Sequence, residues 1–470
     1  MPVDLTKPLE WKTASGDAGA MLSQLQPNIL KAHVREHMQV LFVQFADKAE
    51  GRAFLHGVAR TMKSAKKHLL EVERFNSPAH TPGTAYVGVG LTRAGYTKIG
   101  IPATKVPGSS KPSAAPFRAS MRSDGSVQAL GDPKVAAWEE PYRHTIHAVV
   151  LLGDATKASV TAKRAQIDAL FTPKVKLLGV EIGRGQRNTH GDGIEHFGYV
   201  DGRSQPLFLV EDVAAEPHTP AGWDPRFALG RVLVRDSAAP NPVQHFGSFF
   251  VFRKLEQNVR RFHQAERDLA DTLGLAGADR PRAGAMIVGR FRDGTPLTSQ
   301  PTGGVQPVPN DFDYDADAQG RKCPFQGHIR KTNPRGSGGA EPHPAERKHL
   351  MARRGQVFGT RTDDINAELP PSARPTGGVG LLFMAFNSEI SNQFEFTQST
   401  WANNPGFPFG SPNGEPGLDQ VIGQGTRPKT KCPIAWDGAA MKTVSAAPQA
   451  VTMKGGEYFF MPSIAFLKSL

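Results

Sequence analysis

Four stretches of the chain repeat one arrangement, a short apolar run followed by a polar stretch with helical spacing. Met38–Phe45 (M-Q-V-L-F-V-Q-F) leads into Asp47–Lys66, and His147–Leu152 (H-A-V-V-L-L) into Lys157–Leu170. Ser248–Phe252 (S-F-F-V-F) leads into Leu255–Leu273, and Gly380–Phe386 (G-L-L-F-M-A-F) into Glu389–Trp401. The apolar runs are too short for buried helices and are rich in Val and Phe, which predicts strands. Leu255, Val259, Phe262, Leu269 and Leu273 fit one helical face. Ile390, Phe394 and Trp401 follow that spacing less cleanly. Four strand-then-helix starts in 470 residues predict two copies of a β-α-β-β-α-β unit. The expected fold class is therefore α+β, with duplicated ferredoxin-like modules whose antiparallel sheets pack under helices. The Pro-rich joint Pro217–Pro225 is the expected boundary, giving an N-terminal module over 20–216 and a C-terminal module over 226–470. Pro102–Pro116 and Pro296–Gly320 read as excursions on this scaffold.

Composition narrows the partners. The chain has 49 Gly and 38 Pro, which predicts long ordered loops, where sites tend to be built. Its net charge is +12, from 56 Lys and Arg against 44 Asp and Glu. The basic residues are dispersed, and no zinc-finger, RNP or basic-zipper pattern appears, so nucleic acid is not the expected partner. A funnel for anionic small molecules accounts for the charge. The two cysteines, Cys323 and Cys432, stand outside any C-x-x-C and read as reduced residues of a cytoplasmic protein. The N-terminus carries no basic stretch followed by an apolar run, and no apolar segment reaches the ~18 residues of a membrane span. The C-terminal P-S-I-A-F-L-K-S-L reads as the end of the fold.

Two short motifs carry the chemistry. G-Y-V-D-G at Gly198–Gly202 sets Asp201 between small residues, and C-P-F-Q-G-H-I-R-K-T-N-P-R at Cys323–Arg335 holds His328 beside basic groups. One carboxylate, one histidine and a basic cluster suit a site that binds an anionic cofactor and moves protons. They do not suit a hydrolase triad or a phosphate-cradling loop. Asp201 falls near the end of the first half and His328 between the third and fourth strands, so a pocket using both sits near the junction. Taken alone, His328 reads as a loop histidine bonded to a carbonyl, and Asp201 as a turn residue bonded to its own backbone.

G-Y-V-D-G-R-S-Q-P at Gly198–Pro206 resembles the G-x-x-D-G motif of dye-decolourising (DyP-type) haem peroxidases, and the His328 motif resembles their proximal-histidine segment. Q-P-N-I-L-K-A-H at Gln26–His33, G-L-T-R-A-G-Y-T-K-I-G-I-P at Gly90–Pro102, G-S-F-F-V-F-R-K-L at Gly247–Leu255 and G-L-L-F-M-A-F-N-S-E-I-S-N-Q-F-E at Gly380–Glu395 are also similar to family segments. The likeness covers nearly the whole chain and implies a cytoplasmic peroxidase with one haem b per chain. Hydrogen peroxide is its oxidant, and anionic dyes or phenols are its donors.

The resemblance implies a role for each site residue. His328 is the axial ligand, with Glu389 as its acidic partner and Glu395 as the second choice. Asp201, ionised down to acid pH by its reference pKa of ~3.9, shuttles the peroxide proton. Activity is therefore expected to survive in mildly acid buffer. Arg353, rather than Arg354, stabilises charge on the departing oxygen. Arg335 contacts a haem propionate, Asn333 lines peroxide access, and Leu381 and Phe383 wall the pocket. Trp401 and Tyr199 are candidates to relay electrons, beside the plainer reading of packed core aromatics. Two alternatives remain: a haem carrier or iron-release protein without turnover, and a non-haem metal or anion-binding protein using His328 and Asp201. The charge of +12 predicts that oxidation of anionic donors slows as salt rises from about 0.01 to about 0.15 M, while neutral donors are unaffected. Steady-state rates across that range check it.

Overall fold

Strand β1 (His37–Phe45) opens the first half and is followed by helices α1 (Lys48–Ala59) and α2 (Ala65–Asn76). Strands β2 (Tyr86–Leu91) and β3 (Ala148–Asp154), helix α3 (Lys157–Asp168) and strand β4 (Val175–Arg184) complete it. The second half runs through β5 (Phe246–Gln257), α4 (Val259–Leu273), β6 (Gln356–Phe358), β7 (Gly380–Asn387) and β8 (Val451–Met461). This computed structural model describes residues 2–219 and 222–470. The expected joint at Pro217–Pro225 includes Pro220 and Ala221, which lie outside the described residues.

Both halves have the same antiparallel topology. The first sheet is ordered β2-β3-β1-β4 and the second β6-β7-β5-β8, so the duplication read from the sequence is present. The two sheets also meet along their edges. Phe460 of β8 lies opposite Leu91 of β2, and Gly183 of β4 opposite Phe358 of β6. Eight strands therefore form one continuous ring.

Local chemistry sets the helix boundaries. Asp47 caps α1 by accepting from the Ala49 and Glu50 amides, and Thr156 caps α3 through Ser159. The first polar stretch divides into two helices because Ser64 caps α2, accepting from the Lys67 amide. In the third, the Asn258 side chain accepts from the Arg261 amide, so α4 starts at Val259 and Leu255 stays in β5, paired with Leu381. The fourth stretch is π-helical over Ser391–Glu395 and Thr397–Ala402. The Glu395 amide donates to the Ile390 carbonyl at 3.0 Å, five residues back, and that wider turn is why the apolar spacing there fits 3.6 poorly. Strands β2 and β8 escape the periodicity because glycines interrupt them. A Cβ on Gly90 would lie 2.7 Å from Met461 Sδ and 2.9 Å from Phe459 Cβ, so glycine is what lets β8 lie against β2.

Alternation along β5 and β7 gives the second sheet two distinct faces. Phe250, Phe252, Leu382, Met384 and Phe386 are buried on one face. There Phe252 meets Phe42 of the first sheet at 4.9 Å between ring centroids, and Phe250 meets Phe386 at 5.1 Å. Arg253, Leu255, Gln257, Leu381 and Phe383 point to the other face, away from this shared core. Phe252→Ala is expected to cost about 3–5 kcal/mol, the range for emptying a buried aromatic site. Urea unfolding checks it, and a loss below ~1 kcal/mol contradicts a core shared by both sheets.

Candidate active site

The outward face of β5 and β7 forms one wall of a cavity of about 280 Å³. Asp201, Arg353, His328, Asn333, Leu381 and Phe383, six of the residues expected from sequence, all line it. Arg335 and Glu389 are outside the lining.

The turn that carries Asp201 needs both of its glycines. Gly198 and Gly202 have φ of 92° and 81°, where a side chain is strained. The Asp201 amide donates to the Gly193 carbonyl at 3.0 Å, and the Gly202 amide donates to Asp201 Oδ1 at 2.7 Å. Arg353 is tied to the same turn. Its backbone amide donates to Gln205 Oε1 at 3.1 Å and its Nη2 to the Arg203 carbonyl at 2.8 Å. The R-S-Q that follows D-G thus holds Arg353 in register with Asp201. Burial lowers the Arg353 pKa, and the charge of Asp201 opposes that shift. Arg354 points elsewhere, donating to the backbone carbonyls of Asn28, Ile29 and Arg353.

His328 opens a short helix, α5 (His328–Thr332), with Thr332 Oγ1 donating to the His328 carbonyl. Its Nδ1 lies 2.8 Å from Oδ2 of Asp419, a fully buried carboxylate. Asp419 Oδ1 accepts from the Val421 and Ile422 amides, both at 2.8 Å, so its orientation is fixed. Burial opposes a charge on either partner. The attraction between them outweighs it, raising the His328 pKa and lowering that of Asp419. With Nδ1–H given to Asp419, Nε2 keeps a lone pair for the cavity.

The acidic partner expected at Glu389 is therefore Asp419. Glu389 instead accepts from Asn392 Nδ2 at 2.8 Å and from Ser113 Oγ at 3.4 Å, and Glu395 accepts from the Tyr458 hydroxyl. The place given to Arg335 is corrected too. Its Nη1 donates to the Asn310 and Phe312 carbonyls and its Nη2 to Ser204 Oγ and Asn310 Oδ1, while Phe312 and Trp223 stack on it. The other basic residues of that motif also serve the scaffold. Arg330 pairs with Asp317 at 2.9 Å, and Lys331 Nζ donates to the carbonyls of Asn404, Phe407 and Gly417. The lining also holds Arg35, Arg203, Arg290 and Arg353, together with Arg253, whose charge is met by Asp132. Arg35 and Arg290 escaped the sequence reading because isolated arginines in separate segments form no pattern. Asp419 escaped it for the same reason, although an Asp set among Leu418, Val421 and Ile422 is the mark of a buried carboxylate. Trp401 is buried and stacks on Phe407 away from the cavity, whereas Tyr199 is buried and lines it.

Glu195 also lines the cavity and braces the Asp201 turn. It accepts from the Phe197 amide at 2.8 Å, the Tyr199 amide at 3.0 Å and Gln257 Nε2. Burial pushes its pKa up to about 7 against those three donors.

Comparison with known proteins gives the family and the fold. Residues 24–184 match the family model described as the DyP dimeric alpha+beta barrel domain. The chain is 58% identical to "Multifunctional dye peroxidase DyP2" of Amycolatopsis sp., covering 100% of both. The solved structure of that DyP2 superposes with a TM-score of 0.95 at 57% identity, again over 100% of both chains. A DyP-type peroxidase of Anabaena sp. superposes at 0.89, with 36% identity over 99% of this chain and 98% of the other. A dye-decolorizing peroxidase solved in complex with 2,6-dimethoxyphenol superposes at 0.76, with 27% identity over 95% of this chain and 98% of the other.

The raised Glu195 pKa has a consequence for stability. A carboxyl held near 7 when folded and near 4.5 when unfolded contributes stability below pH 4.5 that is lost as pH rises towards 7. The contribution is at most ~3 kcal/mol. Glu195→Gln is expected to flatten that part of the pH profile of urea unfolding. An unchanged slope between wild type and variant contradicts the assignment.

Proposed function

This chain belongs to the dye-decolorizing (DyP-type) peroxidase family, and from that premise we propose how its residues carry out the reaction. The protein is a haem-dependent peroxidase that uses hydrogen peroxide to oxidise dyes and phenols. One observation carries the residue assignment: the His328–Asp419 pair opens onto the same cavity as Asp201 and Arg353.

The donor set fits a haem. Among the described residues no group of three His, Cys, Asp or Glu side chains is placed to hold a bare metal ion. A single imidazole with one nitrogen committed to a carboxylate and the other free is a donor that a haem iron would take. Val288, Ile329, Leu381 and Phe383 offer apolar walls, and Arg203 offers positive charge for the propionates. Cys323 and Cys432 are buried and outside the lining, which supports a non-covalent haem b, one per chain. When bound, the haem iron supplies the two-electron reduction of peroxide and the one-electron oxidation of donors.

His328 would hold the iron, and Asp419 keeps the ring in the tautomer that leaves Nε2 free. Asp201 takes a proton from peroxide and returns it to the departing oxygen. Arg353 stabilises the negative charge growing there, its guanidinium aimed by the Arg203 carbonyl. Leu381 and Phe383 exclude water, and Asn333, whose side chain is buried against the cavity, meets incoming peroxide. Anionic dyes are the favoured donors, drawn by the net charge of +12. Among the described residues no helix is long and apolar enough to cross a membrane. Two free, buried cysteines support a cytoplasmic location.

His328→Ala is expected to lose the haem absorbance band. Asp201→Ala and Arg353→Leu keep the band and slow peroxide cleavage by about 10²–10³-fold in stopped-flow mixing. Arg354→Leu instead lowers stability, because it leaves the Asn28 and Ile29 carbonyls without their donor. Slower cleavage with Arg354→Leu than with Arg353→Leu overturns the choice of arginine.

A further inference from the structure

The carboxylate behind His328 is itself acted on by two cations that lie outside the cavity lining, Arg427 and Lys331. Residues 419–423 form a closed turn. The Val421 and Ile422 amides hold Asp419 Oδ1, and the Gly423 amide donates to the Asp419 carbonyl at 3.1 Å. A Cβ on Gly423 would stand 2.6 Å from that carbonyl oxygen, so the turn closes only on glycine. Arg427 clasps this turn. Its Nη1 donates to the carbonyls of Asp419 at 3.2 Å, Gln420 at 3.3 Å and Ala447 at 3.0 Å, and its Nη2 to that of Gly423 at 2.6 Å. Burial lowers the Arg427 pKa, and the charge of Asp419 opposes that shift. On α5, Lys331 Nζ meets three carbonyls, a set that only the three N–H of an ammonium satisfies. Burial lowers its pKa too, with Asp419 the leading charge against it. The Asp419 oxygens are taken by His328 and two amides, so both cations act on the carboxylate through space.

We propose that Arg427 is a positioning residue that sets how strongly His328 donates to the haem iron, acting through the charge of Asp419. The proposal rests on the reading of His328 as the axial ligand. A carboxylate that accepts Nδ1–H draws that proton towards itself and enriches the electron density on Nε2. A cation beside the carboxylate holds part of its electron density back and weakens that pull. Arg427 thus does two things of opposite sign at the iron. Its four hydrogen bonds hold Asp419 on His328, which strengthens the donor, and its charge weakens the donor. The charge prevails because the turn has other fastenings. The Asp419 amide donates to the Ala402 carbonyl at 2.9 Å, and the Ala447 amide donates to Gln420 Oε1 at 2.7 Å. No other basic side chain stands between 419 and 426 to replace the guanidinium charge. Arg427 therefore leaves the iron a stronger oxidant than the His328–Asp419 pair alone sets, which suits donors that give up electrons reluctantly.

The test is spectroelectrochemical titration of the haem-loaded protein, with resonance Raman of the iron–histidine band in the ferrous state. Arg427→Gln is expected to shift the ferric-to-ferrous ratio at a fixed potential about threefold to tenfold towards ferric, and to raise the band. Asp419→Asn is expected to move both readouts the other way. Added to Asp419→Asn, Arg427→Gln is expected to lose most of its effect, since the group it acts through is gone. Arg427→Lys keeps the charge with fewer bonds and is expected to stay within about twofold of wild type. It also reports if the glutamine variant does not hold haem, because a shift towards ferrous there shows a brace and nothing more. No shift or a shift towards ferrous in Arg427→Gln, or the full shift persisting beside Asp419→Asn, overturns the inference and leaves the His328–Asp419 pair standing. If Asp419→Asn moves neither readout, the axial reading itself fails.

Discussion

A slip of one residue between β5 and β7 would exchange the two faces of the second sheet. The register from Phe249 opposite Asn387 to Glu256 opposite Gly380 prevents this, because it puts Phe250, Phe252, Met384 and Phe386 against the first sheet. Once those rings are committed to the core, Arg253, Leu255, Leu381 and Phe383 have only the other side to occupy. The cavity is the consequence of that choice. The two-residue strand Ala352–Arg353 pairs with the far side of β7, with Arg353 opposite Ala385, and so inherits the same register.

Around this wall the chain buries charges and gives each one partners. Arg253 pairs with Asp132, Arg330 with Asp317 and Asp419 with His328, all in sites closed to water on at least one side. Removing one member of such a pair leaves an uncompensated charge, which costs about 3–5 kcal/mol. These groups fix loops that hydrophobic contacts alone leave loose. Lys331 shows the logic most clearly. Its ammonium gathers three carbonyls from 404–417, the segment just before Asp419, so the helix bearing His328 and the loop bearing its partner are fastened together.

The parts legible in the sequence were those with local signatures. The strands around Phe42, Val150, Phe250 and Met384 were visible as apolar runs, and the Asp201 and His328 motifs as short strings with unusual composition. Six of the eight named site residues line one cavity. What was hidden was long-range or geometrically irregular. Asp419 meets His328 across 91 residues, and no local rule announces such a pair. Arg335 has the charge to bind an anion, yet the chain carbonyls of Asn310 and Phe312 take its donors first. The glycines of β2 and β8 disguised those strands, and the π-helix after β7 blurred a period that presumes 3.6 residues per turn.

The closure of the two sheets into a ring bears on how the chain can be divided. Each sheet meets the other along both edges, β2 on β8 and β4 on β6, so neither half presents a long free edge to a neighbouring molecule. A fragment carrying one half would expose two strand edges and the aromatic face around Phe42 or Phe252 together, the combination that drives aggregation. Duplication here has produced mutual shielding: each copy is the other's edge protection.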